Sequence, residues 1–235
     1  LPKLVLLVVW CRVFGENGAL APLIESWQVP VYIMGGASIL LGNVAGLAQT
    51  RVRRMLAYSS ISHMGMVLLA LGLGNSEGIS AAWVYVIGYI VMTVTLFLAL
   101  ARWRKGAREA VLIEDLKGLY SSDKAYATVL IISLFSMMGM PPFLGFLLKI
   151  QVLMALIHDG QAGLALVAVV GSVIGAFYYL RIIQNIVFFD KSDGESTSEV
   201  IPDWSSNMVL ALTAGTVLLS GLLPMWLFTL VKIAV

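Results

Sequence analysis

The fold is decided by the stretch SLFSMMGMPPFLGFLLKIQVL, residues 133–153, an apolar run that is interrupted at two places. The first interruption is Gly139-Met140-Pro141-Pro142. Two successive prolines remove two backbone donors, and their rings clash with the preceding turn, so a helix must break or kink there. Inside hydrocarbon, a break is tolerated only where protein or a water-filled cavity satisfies the freed backbone groups. The stretch therefore predicts a broken helix, with Gly139, Pro141 and Pro142 at the break.

The second interruption is a single lysine, Lys149, flanked by Leu148 and Ile150. A charged side chain at bilayer depth costs about 2.5–3.5 kcal/mol on insertion scales, so it usually marks an ion or proton path. Burial among apolar side chains disfavours the charged form of a lysine, and such a group can take up and release a proton. The alternative is that the long Lys149 side chain reaches the membrane interface. We favour a functional role, because the lysine lies beside a helix break.

The composition is that of a polytopic membrane protein. Of the 235 residues, 60% are hydrophobic and 12% are charged, and the mean hydropathy is +0.93. A soluble domain has roughly 45–50% apolar and about 25% charged residues. The single cysteine, Cys11, excludes a disulfide framework and a cysteine-built metal or iron–sulfur site within this chain. His63 and His158 are far apart, so a metal centre is not expected, and no nucleotide-binding motif is visible.

Hydropathy predicts helices separated by polar connections. In the second predicted span, residues 29–50, four glycines allow close contact between helices: Gly35, Gly36, Gly42 and Gly46. Polar connections are predicted over 15–28 and 190–206, and the loop over 102–124 is the most charged segment. The predicted spans are 4–14, 29–50, 55–73, 80–101, the broken element 126–158, 162–189 and 207–230.

The broken element is either one crossing or two short ones. Lysine and arginine concentrate in the loops on the cytoplasmic side of a membrane. With one crossing, nearly all the basic residues of the loops fall on one side, whereas two crossings would move Arg181 and Lys191 to the other side. We therefore predict an all-α transmembrane bundle of about seven spans with one discontinuous helix. Residues 1–235 would form one domain, with the basic side facing the cytoplasm or the mitochondrial matrix.

Ionisable side chains inside the predicted spans are few. All thirteen carboxylates fall in loops or at span ends. The ionisable residues that we assign to the spans are Lys3, at the possible start of the first span, His63 and Lys149. A proton path with bases and no acids is incomplete unless another part of the protein or a partner supplies carboxylates. A place at the membrane interface explains Lys3 as well as a place in a proton path does. His63 shares a polar stripe with Ser59 and Ser62, which fits a satisfied core histidine as well as a relay.

Three segments resemble the antiporter-like subunits of respiratory complex I. GNVAGLAQTRVRRMLAYSSISHMGMVLLAL (42–71) is similar to their stretch around LAYSSI-x-H-x-G, and 133–153 is similar to their PP-x-x-GF-x-x-K element. GAFYYLRIIQNIVFFD (175–190) resembles the end that is particular to subunit N, or chain 2, of that family. The order and spacing of the three segments agree with those of the family, and the resemblance covers the whole chain.

The resemblance implies roles for the three ionisable residues. The family has fourteen transmembrane helices, and this chain is similar to the last seven, in agreement with the seven spans counted from loop charge. Because the chain begins Leu-Pro-Lys and not with Met, we expect it to begin inside a larger protein or to be a truncated reading frame. Lys149 would be the lysine of the discontinuous twelfth helix, on the exit side of a proton channel. Lys3 would be the lysine of the eighth helix, and His63 would lie in the tenth. The glutamate and lysine of the earlier helices would precede this chain.

The implied function is a proton-translocating membrane subunit of an NADH:quinone oxidoreductase, in a bacterial or mitochondrial inner membrane. The subunit would contain no redox centre, because NADH, FMN, iron–sulfur clusters and quinone are expected in other subunits. Its partners would be other membrane subunits and the lipid bilayer, with no nucleic acid. The alternative is a subunit of a multisubunit cation/proton antiporter or of a hydrogenase-type membrane complex. A lysine instead of a glutamate at position 149, and the segment 175–190, favour complex I.

Overall fold

The computed structural model of the protein describes residues 2–15, 18–105, 108–109, 112–189, 198–200 and 215–216. Helices dominate these residues, and the predicted all-α fold class is confirmed. The α-helices are α1 (Pro2–Phe14), α2 (Ile24–Leu47), α3 (Val52–Gly72), α4 (Ser76–Arg102), α5 (Leu119–Ser122), α6 (Lys124–Met138), α7 (Leu144–His158) and α8 (Ala162–Val187). Two 3₁₀ turns, Ala21–Leu23 and Ile113–Leu116, and three short strands lie in the connections.

Four helical segments of the described part are long and apolar enough to cross a membrane. They are Ala21–Leu47, Val52–Gly72, Ser76–Ala101 and Ala162–Val187. Helices α6 and α7 have 15 residues each. At about 1.5 Å per residue, each is roughly 22 Å long and falls short of the ~30 Å hydrocarbon core. Of the predicted last span, 207–230, the structure describes only residues 215–216, so the count of seven crossings stays a prediction.

Helix α2 begins before its predicted start. The predicted polar connection over 15–28 is wrong in its last part, because α2 starts at Ile24. Glu25 lies in the first turn, where the positive end of the helix dipole stabilises a carboxylate. The Trp27 indole donates to the Leu20 carbonyl at 3.1 Å and holds the preceding 3₁₀ turn against the helix. Polarity alone is therefore a poor marker of where this helix begins.

Helices α2 and α3 approach each other at glycines. A Cβ atom added at Gly35 or Gly42 would lie 2.7 or 2.8 Å from atoms of α3, and one at Gly46 would lie 3.0 Å from α8. These distances are shorter than ordinary van der Waals contacts, so the prediction of close contact is confirmed at these three positions. It is wrong at Gly36, where the nearest atom would be 3.8 Å away.

One end of the bundle gathers the connections that carry most of the basic residues, and we call it the basic end. There the Ile113 amide donates to the Thr50 carbonyl at 2.9 Å, and the Gly118 amide donates to the Phe189 carbonyl at 2.9 Å. Strand β1 (Trp103–Lys105) pairs antiparallel with β2 (Arg108–Glu109) and with β3 (Ser198–Val200). The connections after α2, α4 and α8 therefore meet at this end.

The opposite end joins the turn before α4 to the turn after α7. Asn75 donates to the Asp159 carboxylate at 3.2 Å, and His158 Nδ1 lies 2.9 Å from Glu77 Oε1. Helix α6 begins next to the basic end, and α7 finishes at the opposite end. Helix α8 ends next to the basic end, where the Phe189 carbonyl accepts from the Gly118 amide.

Candidate functional site

The connection between α6 and α7 is a short break that glycine makes possible. Helix α6 ends at Met138, and Gly139 follows with φ +84°, a left-handed conformation that favours glycine. Its amide donates to the carbonyls of Phe135 and Ser136 at 3.1 and 3.0 Å. The last carbonyls of a helix have no partner within the helix, and the Met138 carbonyl is one of these. The break therefore presents a backbone acceptor at the end of α6.

Lys149 uses this acceptor. Its ammonium donates to the Met138 carbonyl at 2.7 Å, and its side chain passes over Gly139. A Cβ atom on Gly139 would lie 2.9 Å from Lys149 Cδ and 3.1 Å from Nζ. The C-terminal end of a helix carries partial negative charge, so α6 stabilises the ammonium. Within the described part of the chain, Lys149 makes no ion pair and donates its hydrogen bond to the end of α6.

Ser136 and Gly145 hold α6 and α7 together at the break. The Gly145 amide lies 3.3 Å from Ser136 Oγ, and a Cβ atom on Gly145 would collide with the Ser136 carbonyl. The Ser136 hydroxyl also lies 3.0 Å from the sulfur of Met92 on α4. Contact between three helices therefore fixes the orientation of α7, which carries Lys149.

Lys3 is directed toward α3 and α4. Its ammonium lies 4.1 Å from the centre of the Tyr89 ring and 3.5 Å from Ser60 Oγ, and the side chain is half-buried. A cation over an aromatic face is attracted by the ring quadrupole, by about 0.5–2 kcal/mol depending on solvation. Tyr89 thus gives Lys3 a partner on α4.

His63 is buried against the same face of α4. Its side chain is 5% exposed, and its Nδ1 atom lies 2.8 Å from the Tyr85 hydroxyl. The His63 ring centre is 5.0 Å from that of Tyr89, so Tyr89 contacts both His63 and Lys3. Tyr85 and Tyr89 are four residues apart, which places them on one face of the helix.

His63 and Lys149 line a common small cavity. Its volume, about 10 Å³, is about the space that one water molecule requires. Its other walls include Asn43, Tyr85, Tyr178 and Tyr179. Two of the three predicted site residues therefore meet at one cavity, and Lys3 is connected to it through Tyr89 and His63.

Lys149 also lines a groove on the side of the bundle. This groove has a volume of about 340 Å³ and lies between α8 and the break. Its walls are mostly apolar, with Phe146, Ile150 and Val173 among them. Lys149 is thus placed between an interior cavity with polar walls and an apolar lateral groove.

A hydrogen-bonded network supports the wall of the small cavity. The Tyr178 hydroxyl donates to Asn43 Oδ1 at 2.9 Å, and the Asn43 amide donates to Ser62 Oγ at 2.7 Å. The hydroxyls of Ser59 and Tyr179 are also hydrogen-bonded to each other. The polar stripe of Ser59, Ser62 and His63 therefore faces the interior, and its serines are satisfied.

Sequence reasoning missed Tyr85, Tyr89, Asn43 and the Met138 carbonyl as parts of the site. The two tyrosines had a usable signal, because their spacing of four places both on one helix face. Asn43 is a polar residue inside an apolar helix, and such residues usually face a partner. The Met138 carbonyl has no signal beyond the break itself.

Within the described residues, no group of three His, Cys, Asp or Glu could hold a metal ion.

Known proteins with similar sequences and structures agree on one family. NADH-quinone oxidoreductase subunit N of Laribacter hongkongensis is 38% identical over 97% of this chain and 46% of its own length. Respiratory complex I from Thermus thermophilus contains a chain with 28% identity and a TM-score of 0.73, covering 85% of this chain and 44% of that one. An archaeal membrane-bound sulfane sulfur reductase contains one with 29% identity and a TM-score of 0.79, covering 89% and 42%. This chain spans about half the length of the curated relatives it matches.

The match to a protein family covers most of the chain. The transmembrane domain of NADH:quinone oxidoreductases and Mrp antiporters matches residues 11–175. This range includes His63, the break and Lys149, whereas Lys3 precedes it. The chain belongs to the NADH:quinone oxidoreductase/Mrp antiporter transmembrane family.

Proposed function

We propose that this chain is a proton-translocating membrane subunit of an NADH:quinone oxidoreductase, which is complex I. The observation that carries the proposal is the ammonium of Lys149, held 2.7 Å from the Met138 carbonyl at the break and facing a cavity shared with His63. A lysine in this position can lose its proton without leaving a carboxylate unpaired. The similarity to subunit N over 97% of this chain supports the choice of complex.

Lys149 and Lys3 would be the groups that change protonation. Two ammonium groups about 10 Å apart repel by roughly 1.7 kcal/mol at an effective dielectric of about 20. Protonation of one lysine then favours loss of the proton from the other. Tyr89 and His63 lie between them, so the charge signal would pass along the interior of the bundle.

The redox reaction would take place elsewhere in the complex. NADH, FMN, iron–sulfur clusters and quinone would bind other subunits, and this chain would contribute to the enzyme as its proton-translocating part. Its partners would be the other membrane subunits of the complex and the surrounding lipid.

The chain would be a multi-pass protein of the bacterial inner membrane, with seven crossings in one domain over 1–235. Helices α6 and α7 would form one discontinuous crossing. This is supported by the contacts between Glu77 and His158 and between Asn75 and Asp159, which place the end of α7 beside the start of α4. The seven crossings would be equivalent to the last seven of the fourteen helices in longer relatives, and the basic end would face the cytoplasm.

A second candidate is a subunit of a cation/proton antiporter or of a related respiratory membrane complex. Structural similarity favours it, because the chain of the sulfane sulfur reductase complex has a TM-score of 0.79, against 0.73 for complex I. Neighbouring genes distinguish the two. Genes for the other subunits of an NADH:quinone oxidoreductase beside this one support the first candidate, and genes for antiporter or sulfur reductase subunits support the second.

The proposed function is tested with the full-length protein in its native complex. Lys149→Met should abolish most of the proton pumping that accompanies quinone reduction, while the complex still assembles. Lys149→Arg should also impair pumping, because arginine keeps its proton in proteins. Lys124→Met, at an exposed lysine at the start of α6, is the matched control. Normal pumping by the Lys149→Met complex would exclude Lys149 as the proton carrier.

A further inference from the structure

The pair of His63 and Tyr85 assigns a role to the histidine that differs from proton carriage. The Tyr85 side chain is 1% exposed, and its hydroxyl lies 2.8 Å from His63 Nδ1. Within the described residues, the Tyr85 hydroxyl makes this one hydrogen bond. Leaving a buried hydroxyl without an acceptor costs about 1–3 kcal/mol. The hydroxyl therefore donates its hydrogen, and Nδ1 accepts it.

This direction of the hydrogen bond decides the tautomer of the imidazole. A neutral histidine has one protonated ring nitrogen and one acceptor nitrogen. Because Nδ1 accepts from Tyr85, the proton of neutral His63 is on Nε2. The donor of neutral His63 is then Nε2–H, and His63 lines the same cavity as Lys149.

The charged groups around His63 favour its neutral form. Tyr89 on α4 contacts both Lys3 and His63, and Lys149 of α7 lines the same small cavity as His63. The other titratable groups at this cavity are the hydroxyls of Tyr85, Tyr178 and Tyr179. No carboxylate of the described residues pairs with His63, so an imidazolium would be a second cation without an ion pair at the cavity, beside Lys149. Burying such a charge is costly.

We infer that His63 is a neutral hydrogen-bond donor, positioned by Tyr85, and that it does not carry protons. Its Nε2–H orients the acceptor in the small cavity, which is either a water molecule or the uncharged amine of Lys149. No proton is gained or lost at His63 during turnover. Tyr85 is a positioning residue, because it acts by holding the tautomer and the ring of His63. The kinetic part of this inference rests on the proposed function.

Substitutions of His63 separate a donor from a carrier. His63→Gln keeps an N–H donor near the position of Nε2 but cannot become charged. In the full-length protein within its complex, we expect His63→Gln to pump within about twofold of the wild type and His63→Ala to lose about tenfold. A proton carrier would lose about 10²-fold or more in both variants, because general acid–base catalysis supplies that much. Equal loss in both variants would overturn the inference.

Tyr85→Phe tests the positioning role. Removing the hydroxyl frees the imidazole to exchange tautomers, so pumping should fall several-fold in the wild-type background. In the His63→Gln background it should have no further effect, since no tautomer is left to hold. Tyr32→Phe is the control, because it also removes a buried tyrosine hydroxyl, in this case one that accepts from Gln28 at 3.2 Å. Equal effects of Tyr85→Phe in both backgrounds would contradict the inference.

A spectroscopic test does not depend on pumping. The full chain is labelled with ¹⁵N-histidine in lipid bilayers, and the His63 signal is identified by subtracting the spectrum of His63→Gln. We expect the neutral Nε2-protonated form from about pH 6 to pH 8, and a second tautomer in Tyr85→Phe. An imidazolium or an Nδ1-protonated form in the wild type would refute the role of Tyr85. If the tautomer is as expected but Lys149→Met pumps normally, the proposed function fails and the positioning of His63 stands.

Discussion

The ammonium of Lys149 lies 2.7 Å from the carbonyl oxygen of Met138, across the break between α6 and α7. The two residues are on different helices, and the carbonyl belongs to the last turn of α6, at the negative end of the helix dipole. The proton on Lys149 therefore contributes to holding the ends of the two short helices together. Because the acceptor is a backbone atom, mutations at its neighbours are needed to test the contact.

Gly139→Ala should disturb this contact directly. Alanine is strained at φ +84° by about 1–2 kcal/mol, and its Cβ would meet the Lys149 side chain at 2.9 Å. We expect a lower melting temperature together with reduced proton pumping. Gly160→Ala is the control, because Gly160 has φ +77° with no atom within 4 Å of an added Cβ. Equal loss of pumping in both variants would show that backbone strain alone is responsible.

Gly145→Ala should destabilise the packing of α6 against α7. The added Cβ would collide with the Ser136 carbonyl, and backbone atoms cannot move aside as a flexible side chain does. Overpacking of this kind typically costs about 1–3 kcal/mol. Thermal unfolding of the purified protein measures it, with Gly163→Ala as the control in an open position of α8. A melting temperature equal to that of the control would mean that α6 and α7 separate freely at the break.

Lys3 and Lys149 should be energetically coupled. Lys3 contacts Tyr89, which contacts His63, and His63 shares a cavity with Lys149. In a double-mutant cycle with Lys3→Met and Lys149→Met, the pumping rate of the double variant should be no lower than that of the worse single variant. If the two effects on the rate simply multiply, the lysines act independently.

The two ends of the bundle should lie on opposite sides of the membrane. Single cysteines at Ser121 and Ser192, introduced after replacement of Cys11, should react with impermeant reagents from the cytoplasmic side. A cysteine at Gly160 should react from the other side, because the turn after α7 contacts the start of α4. Opposite labelling of Ser121 and Ser192 would mean that residues 126–158 cross the membrane twice.

Much of the site could be predicted from local features of the chain. The Pro141-Pro142 pair predicts a break or a kink, since two successive prolines lack the backbone donor and clash with the preceding turn. Lys149 is conspicuous because it is a charge within an apolar run, and His63 because it ends a polar stripe. The last predicted span, 207–230, stays a prediction, because the structure describes only residues 215–216 of it.

The sequence by itself determined the membrane character of the chain, the position of the break and which ionisable residues lie in apolar segments. These features depend on composition and local backbone chemistry. Only the tertiary structure decided what those residues contact. The partners of Lys3 and His63 are on α4, and Lys149 reaches back eleven residues to a backbone carbonyl. Such contacts depend on how the helices pack. Packing brings side chains together from distant parts of the chain, and no local sequence pattern predicts which of them meet. The tautomer of His63 follows from that packing, because a hydroxyl on another helix holds its Nδ1 atom.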